Sequence, residues 1–175
     1  KEAWAQSQPV TLAPAGYSVS LPTPDKVQPL IERERRILVS KSLERLIAPY
    51  RAMLAASPND PGALLQIAIL YAQNGLYDLA FREFDKLLAA NPRSAEAHNN
   101  RGNIYYTLND YERAFEAYAY AEELDPADGG IKLNLALTQY QRGRLKEASE
   151  KYREAVGLNK SLSGQYQGFE KLLLK

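Results

Sequence analysis

Apolar residues recur at three- and four-residue spacing through most of the chain, and polar residues fill the faces between them. That period predicts helices over 62–74, 78–90, 95–108, 112–124, 129–142 and 146–158. A longer helical stretch precedes them at 29–57, carried by Leu30, Ile31, Ile37, Leu38, Leu46, Ile47, Tyr50, Met53 and Leu54. A last one runs from Ser163 to Leu174, with Tyr166, Phe169, Leu172 and Leu173 on one face. The chain is therefore expected to be all-α.

The helices are paired by a longer period. Ser57-Pro58, Asn91-Pro92 and Asp125-Pro126 follow one another at intervals of 34 residues. Aligned on them, segments 61–94, 95–128 and 129–162 superimpose. Ala80, Ala114 and Ala148 share one column, and Phe84, Tyr118 and Tyr152 another. Ala68, Gly102 and Ala136 form a third, and Tyr77, Tyr111 and Leu145 a fourth. Small and aromatic residues in register at a fixed period mean stacked copies of one two-helix unit. Gly75 and Gly143 fall between the paired helices, where a left-handed backbone is expected, and Asn109 holds the same column. Asp60, Asp78 and Asp110 stand at helix starts, and Pro92 and Pro126 just past helix ends. The 163–175 segment would cover the open apolar face of the last unit, as a capping helix does.

Carried back one period, the frame fits 27–60 in part. Leu30, Ile37, Leu43, Leu46, Tyr50, Met53 and Pro58 match, while Glu34 occupies the small-residue column. Pro49 should kink or break a helix there. Residues 26–60 are thus a leading segment, read either as a degenerate repeat or as one long bent helix. Residues 1–25 have no helical period and carry Pro9, Pro14, Pro22 and Pro24. They read as an extended arm, with Tyr17 to Leu21 its most strand-like piece. The first residue is Lys1, without a methionine or a signal-like stretch, which suggests a processed protein or a piece of a larger one.

Composition narrows the function. The 175 residues are 45% apolar and 25% charged, ordinary for a soluble globular domain with a sizeable core. With no cysteine, disulfides and thiolate chemistry are excluded. No apolar run reaches the roughly 18 residues that suggest a membrane span. The net charge of +1 is unevenly laid: +3 over 29–58, −1 over 59–94, −6 over 95–128 and +5 over 129–175. Solvated helix faces account for this. A docking bias between copies or partners is the sharper reading.

Catalytic chemistry finds little support. His98 is the single histidine and sits in a helix-packing column without a triad motif around it. No metal-ligand spacing occurs, and Gly129-Gly130 lacks the Lys-Ser/Thr of a phosphate loop. Arg142, Arg144, Lys146, Lys151 and Arg153 form a basic cluster, but Glu147, Glu150 and Glu154 balance it, which argues against nucleic acid. No enzyme activity, cofactor or membrane insertion is expected.

These columns resemble the tetratricopeptide repeat. The middle copy carries the resemblance best, with His98, Arg101-Gly102, Tyr105, Ala114, Tyr118, Ala121 and Pro126. The first offers Leu64, Ile67-Ala68, Tyr71, Ala80, Phe84, Leu87 and Pro92. The third offers Leu135-Ala136, Ala148, Tyr152 and Ala155, with Gln139 and Lys160 departing from the pattern. The resemblance implies a right-handed superhelical solenoid of antiparallel hairpins whose first helices line a concave groove. Its groove positions fall on Gly62, Leu65, Ile69, Ala72 and Gln73; on Glu96, Asn99, Asn103, Tyr106 and Thr107; and on Gly130, Leu133, Leu137, Tyr140 and Gln141. One branch of that family grips chaperone-tail carboxylates. Its clamp positions hold Leu65, Ile69, Asn100, Gly130 and Asn134 here, and Asn100 alone fits, so a clamp is not expected.

The resemblance thus implies a protein–protein interaction module with a groove for a peptide segment. The candidate lining is Leu65, Ile69, Gln73, Asn99, Asn100, Asn103, Tyr106, Leu133, Leu137 and Tyr140: apolar anchors edged with amides. A partly buried inner face that binds nothing is the plainer alternative. The 1–25 arm, uncharged between Glu2 and Asp25, could occupy the groove of its own chain or of a second copy, making a structural or oligomerisation domain. Missing cysteine and abundant tyrosine suggest a bacterial periplasm or cell envelope.

Overall fold

A computed structural model describes residues 23–173, and the expected arm lies outside them. The chain divides at Ser42/Leu43 into two compact units. Helix α1 is Pro24–Ala56. Six helices of 13 or 14 residues follow: α2 Pro61–Gln73, α3 Tyr77–Ala90, α4 Ala95–Thr107, α5 Tyr111–Leu124, α6 Gly129–Gln141 and α7 Leu145–Leu158. Two short helices, α8 Ser161–Gln165 and α9 Gln167–Leu173, end the described chain. Every element is helical among the described residues, and the six central helices lie within one residue of the periodicity reading.

Each hairpin is closed by the same chemistry. The turn column is left-handed in all three repeats: φ is 73° at Gly75, 60° at Asn109 and 74° at Gly143. That conformation lets the backbone N–H two residues past the first helix reach back. Leu76 donates to the Tyr71 carbonyl, Asp110 to Tyr105 and Arg144 to Gln139, at 2.8–2.9 Å. Helix starts are capped where a short polar side chain is available. Asp60 accepts from the Ala63 N–H at 2.7 Å and Asp110 from Arg113 at 3.1 Å. Ser94 accepts from Ala97 and Asp128 from Gly130 and Ile131. Asp78 lies inside the first turn of α3, where its charge suits the helix dipole; the N-cap itself is Leu76.

The second helices turn their three repeat columns inward. Ala80, Phe84 and Leu87 are buried on α3, Ala114, Tyr118 and Ala121 on α5, and Ala148, Tyr152 and Ala155 on α7. Truncating one of the large ones, such as Phe84, to alanine would cost about 3–5 kcal/mol in transfer and cavity terms. The C-terminal half of α1 joins the first core cluster through Leu43 and Ile47, beside Leu64 and Ile67 of α2. Arg51 of α1 donates to the Tyr71 hydroxyl at 3.1 Å.

Two segments differ from the simplest reading of the period. Of the two forms open for the leading segment, α1 is the single long helix, with no turn dividing it into a hairpin. Pro49 lies inside α1 without ending it; its missing N–H costs one rung of the ladder. The C-terminal segment is two short helices rather than one. They meet at Tyr166 between Gly164 and Gly168, both poor helix formers. Leu162, Tyr166, Phe169 and Leu173 nonetheless pack on Leu133, Ala136, Tyr152 and Ala155 of the last repeat.

Candidate functional site: the face of the first helices

The first helices α2, α4 and α6 carry equivalent columns 34 residues apart. Ile69, Asn103 and Leu137 share one column, Leu65, Asn99 and Leu133 a second, and Asn100 and Asn134 a third with Gln66. Two adjoining hollows open along these helices. The first, of about 230 Å³, is lined by Ile69, Ala72, Gln73 and Tyr77 on one side and Asn100, Asn103, Ile104 and Thr107 on the other. The second, of about 160 Å³, is lined by Asn103, Tyr106, Thr107, Tyr118, Asn134 and Leu137. Asn103 and Thr107 border both.

Asn103 is the hub of a polar network. Its Oδ1 accepts from the Tyr118 hydroxyl at 2.8 Å and from Asn134 Nδ2 at 3.3 Å. Its amide donates to Asn100 Oδ1 at 3.4 Å. Asn134 Nδ2 also donates to Asn99 Oδ1 at 2.9 Å, tying α6 to α4. Gln141 donates to the Tyr106 hydroxyl at 3.2 Å across the same two helices. Burial pushes the Tyr118 phenol far above its ordinary range, so it stays protonated and donates. Among the described residues, Asn134 Oδ1 and Asn99 Nδ2 have no partner. An acceptor and a donor therefore remain available on a half-buried floor.

Six of the ten anticipated residues line the hollows: Ile69, Gln73, Asn100, Asn103, Tyr106 and Leu137. Asn99 joins through the network. The other three lie elsewhere. Leu65 packs at the edge of the first core cluster. Leu133 is 4% exposed, buried with Tyr152, Ala155 and Leu162. Tyr140 meets the Phe169 ring edge-on at 5.4 Å. The last two are covered by α8 and α9, whose path the period of the first helices does not encode. Asn134 and Tyr118 belong to the site beyond that set. The 34-residue spacing of Asn100 and Asn134 was a usable signal for the former. Tyr118 gave none, since its column reads as core packing.

The remaining chemistry is structural. A ring N–H of His98 is donated to the Pro92 carbonyl at 3.1 Å, and the ring stands edge-on to Tyr120 at 4.6 Å. Arg142 reaches Glu112 and lies 4.4 Å over the Phe115 ring, while Lys151 bonds Glu122 and Glu154. Two members of the basic cluster are thus engaged by neighbouring helices. Among the described residues no group of acidic or histidine side chains is placed to hold a metal ion. No helix among them is long and apolar enough to cross a membrane.

Three helical hairpins stacked in register, with an amide-lined inner face, define a tetratricopeptide-type solenoid. A tetratricopeptide-repeat family model matches residues 65–129 and 116–163, more than half of the chain, and the chain belongs to that family. Its members are in general non-catalytic protein–protein interaction modules. The type IV pilus assembly protein PilF of Pseudomonas aeruginosa is 28% identical over 120 residues, 67% of this chain and 48% of that protein. Human tetratricopeptide repeat protein 13 is 28% identical over 116 residues, 66% of this chain and 13% of that one. The chain thus spans half or less of the length of these curated relatives. A solved structure of Pseudomonas aeruginosa PilF superimposes with a TM-score of 0.63 at 26% identity, over 78% of this chain and 63% of that one. A crystal structure of MamA protein gives 0.60 at 20% identity, over 82% and 81%, a likeness of fold.

Proposed function

We propose that the face of α2, α4 and α6 binds an extended peptide segment of a protein partner. The row Ile69–Asn103–Leu137 carries this reading. It alternates two apolar anchor sites with an amide hub, and free amide groups on Asn99 and Asn134 flank it. Such a surface suits a peptide whose side chains bury against Ile69 and Leu137 while its backbone pairs with the asparagines. Neither hollow is lined by lysine or arginine, which favours internal segments or uncharged ends over a free carboxylate. The likeness to a pilus assembly protein favours a partner within a protein assembly, in a bacterial setting.

Selecting binders from a displayed library of random peptides tests this. Enriched peptides should carry apolar anchors and lose at least tenfold in affinity, about 1.4 kcal/mol, against Ile69→Glu or Leu137→Glu. A change on the outer side of the stack, Glu116→Lys, should leave them unaffected. Peptides that bind the two groove variants as well as the unaltered chain, or no enrichment at all, would sink the proposal.

A further inference from the structure

In every closed repeat the second helix presses the same three columns onto the first helix of its own hairpin. On α3, α5 and α7 these nine residues are at most 4% exposed. One period earlier the same columns are Leu46, Tyr50 and Met53 on α1. Their neighbours Leu43 and Ile47 are buried at 3% and 0%, as in a proper second helix. Yet Leu46 is 55% exposed and Met53 47%. The C-terminal half of α1 is a second helix without its first.

The pattern of that first helix is present in the chain. Leu30 and Ile37 hold the columns occupied by Leu64 and Tyr71 in the next repeat. What is missing is the means to fold back. The turn column that is Gly75, Asn109 and Gly143 is Lys41, which lies inside α1. A left-handed lysine there would cost about 1–2 kcal/mol. Glu34 fills the column of Ala68, Gly102 and Ala136, where the hairpin needs a small residue. The helix runs on instead, and Leu30 and Ile31 stand 57% and 54% exposed.

We propose that the uncovered face of Leu46, Tyr50 and Met53 is filled by residues 27–40 of α1 from a second copy. The closed hairpins set the register. Gly102 lies against Tyr118, and the same antiparallel pairing on α1 puts Leu30 beside Met53 and Ile37 beside Leu46. Both pairs are centred between Lys41 and Ser42. Two α1 helices therefore meet about a two-fold axis at that point, and every contact is made twice. Each copy completes the other's leading hairpin. Between copies no tight turn holds the helices at hairpin distance, so the pair can open by the width of the Glu34 side chain. This surface is separate from the face of the first helices.

The test uses the full chain, whose lack of cysteine makes cross-linking clean. Light scattering on a sizing column should give twice the 19.6 kDa of one chain. Leu46→Asp combined with Met53→Asp should halve that mass at unchanged helix content. Oxidised Leu30→Cys/Met53→Cys should run as a covalent dimer. Within one unbroken helix these positions are roughly 35 Å apart, at about 1.5 Å per residue, and cannot join. A monomeric mass for the unaltered chain overturns the proposal. So does a disulfide closed inside one chain, which would mean that the hairpin folds back on itself. A dimer that survives the double aspartate variant without covalent linkage through positions 30 and 53 overturns it too.

Discussion

A Cβ added to Gly102 would stand 2.5 Å from Cε1 and 2.6 Å from Cδ1 of Tyr118. The tyrosine ring lies directly on the glycine backbone of the neighbouring helix. Its hydroxyl thereby comes within 2.8 Å of Asn103, one residue further along α4. Core packing and the polar hub of the inner face are set by the same contact.

Gly102→Ala is accordingly expected to destabilise the protein by about 1–3 kcal/mol, the range for overpacking a filled site. Gly157 on α7 is the control, because an added Cβ meets nothing within 4 Å there. Gly157→Ala should raise stability by up to about 1 kcal/mol through helix propensity. Urea midpoints of the two variants should move in opposite directions; a shift of the same sign would mean that the Tyr118 contact is not what Gly102 serves.

The two tyrosines of one column should respond differently to loss of the hydroxyl. Tyr118→Phe removes a part-buried hydrogen bond and is expected to cost about 1 kcal/mol. The Tyr152 hydroxyl is buried without a partner among the described residues. Tyr152→Phe should be neutral or stabilising, since it removes a desolvated group that gains nothing. Thermal melts of both variants decide this, and equal losses would contradict it.

The turn column gives a graded series. Gly75→Ala and Gly143→Ala each force a side chain into the left-handed region and should cost about 1–2 kcal/mol. Asn109→Gly, at φ 60°, should be neutral or mildly stabilising. Chemical denaturation of the three variants should reproduce that order.

Acid should loosen the contact between the second and third repeats. Glu122 of α5 accepts from Lys132 of α6 at 2.5 Å and from Lys151 of α7 at 2.7 Å, and Glu154 accepts from Lys132 at 2.9 Å. Burial pushes the Glu122 carboxyl up, and the lysine hydrogen bonds more than reverse this, leaving it below the ordinary 4.5. Glu154 is lowered chiefly by its bond from Lys132. A carboxyl whose folded pKa lies below its unfolded one stabilises above the unfolded value. That contribution is lost as pH falls through the folded value. Stability should thus decline from about pH 4.5 downward. Glu122→Gln should flatten part of that acid limb in urea melts at pH 7 and about pH 3. An unchanged limb would exclude Glu122 as a source.

Much of this was legible because it is local or periodic. Gly75, Asn109 and Gly143 mark their turns through backbone freedom alone. Asp60 and Asp110 cap by reaching a few residues along the chain. What was not legible depends on meetings between distant elements. Leu133 and Tyr140 looked like groove residues, and α8 and α9 cover them. Tyr118 looked like core, and its hydroxyl belongs to the inner face. The fusion of the leading segment into α1 was open from periodicity, which is the same for a hairpin and for one long helix.

The sequence by itself determined the repeat, its period, the six central helices and the residues that close their hairpins. Each of these follows from side-chain spacing or from conformational preferences acting within a few residues. Only the tertiary structure decided which columns stay open to a partner. Exposure depends on what lies opposite in space, and a 34-residue period assigns equivalent residues without saying which copy has a neighbour to cover them.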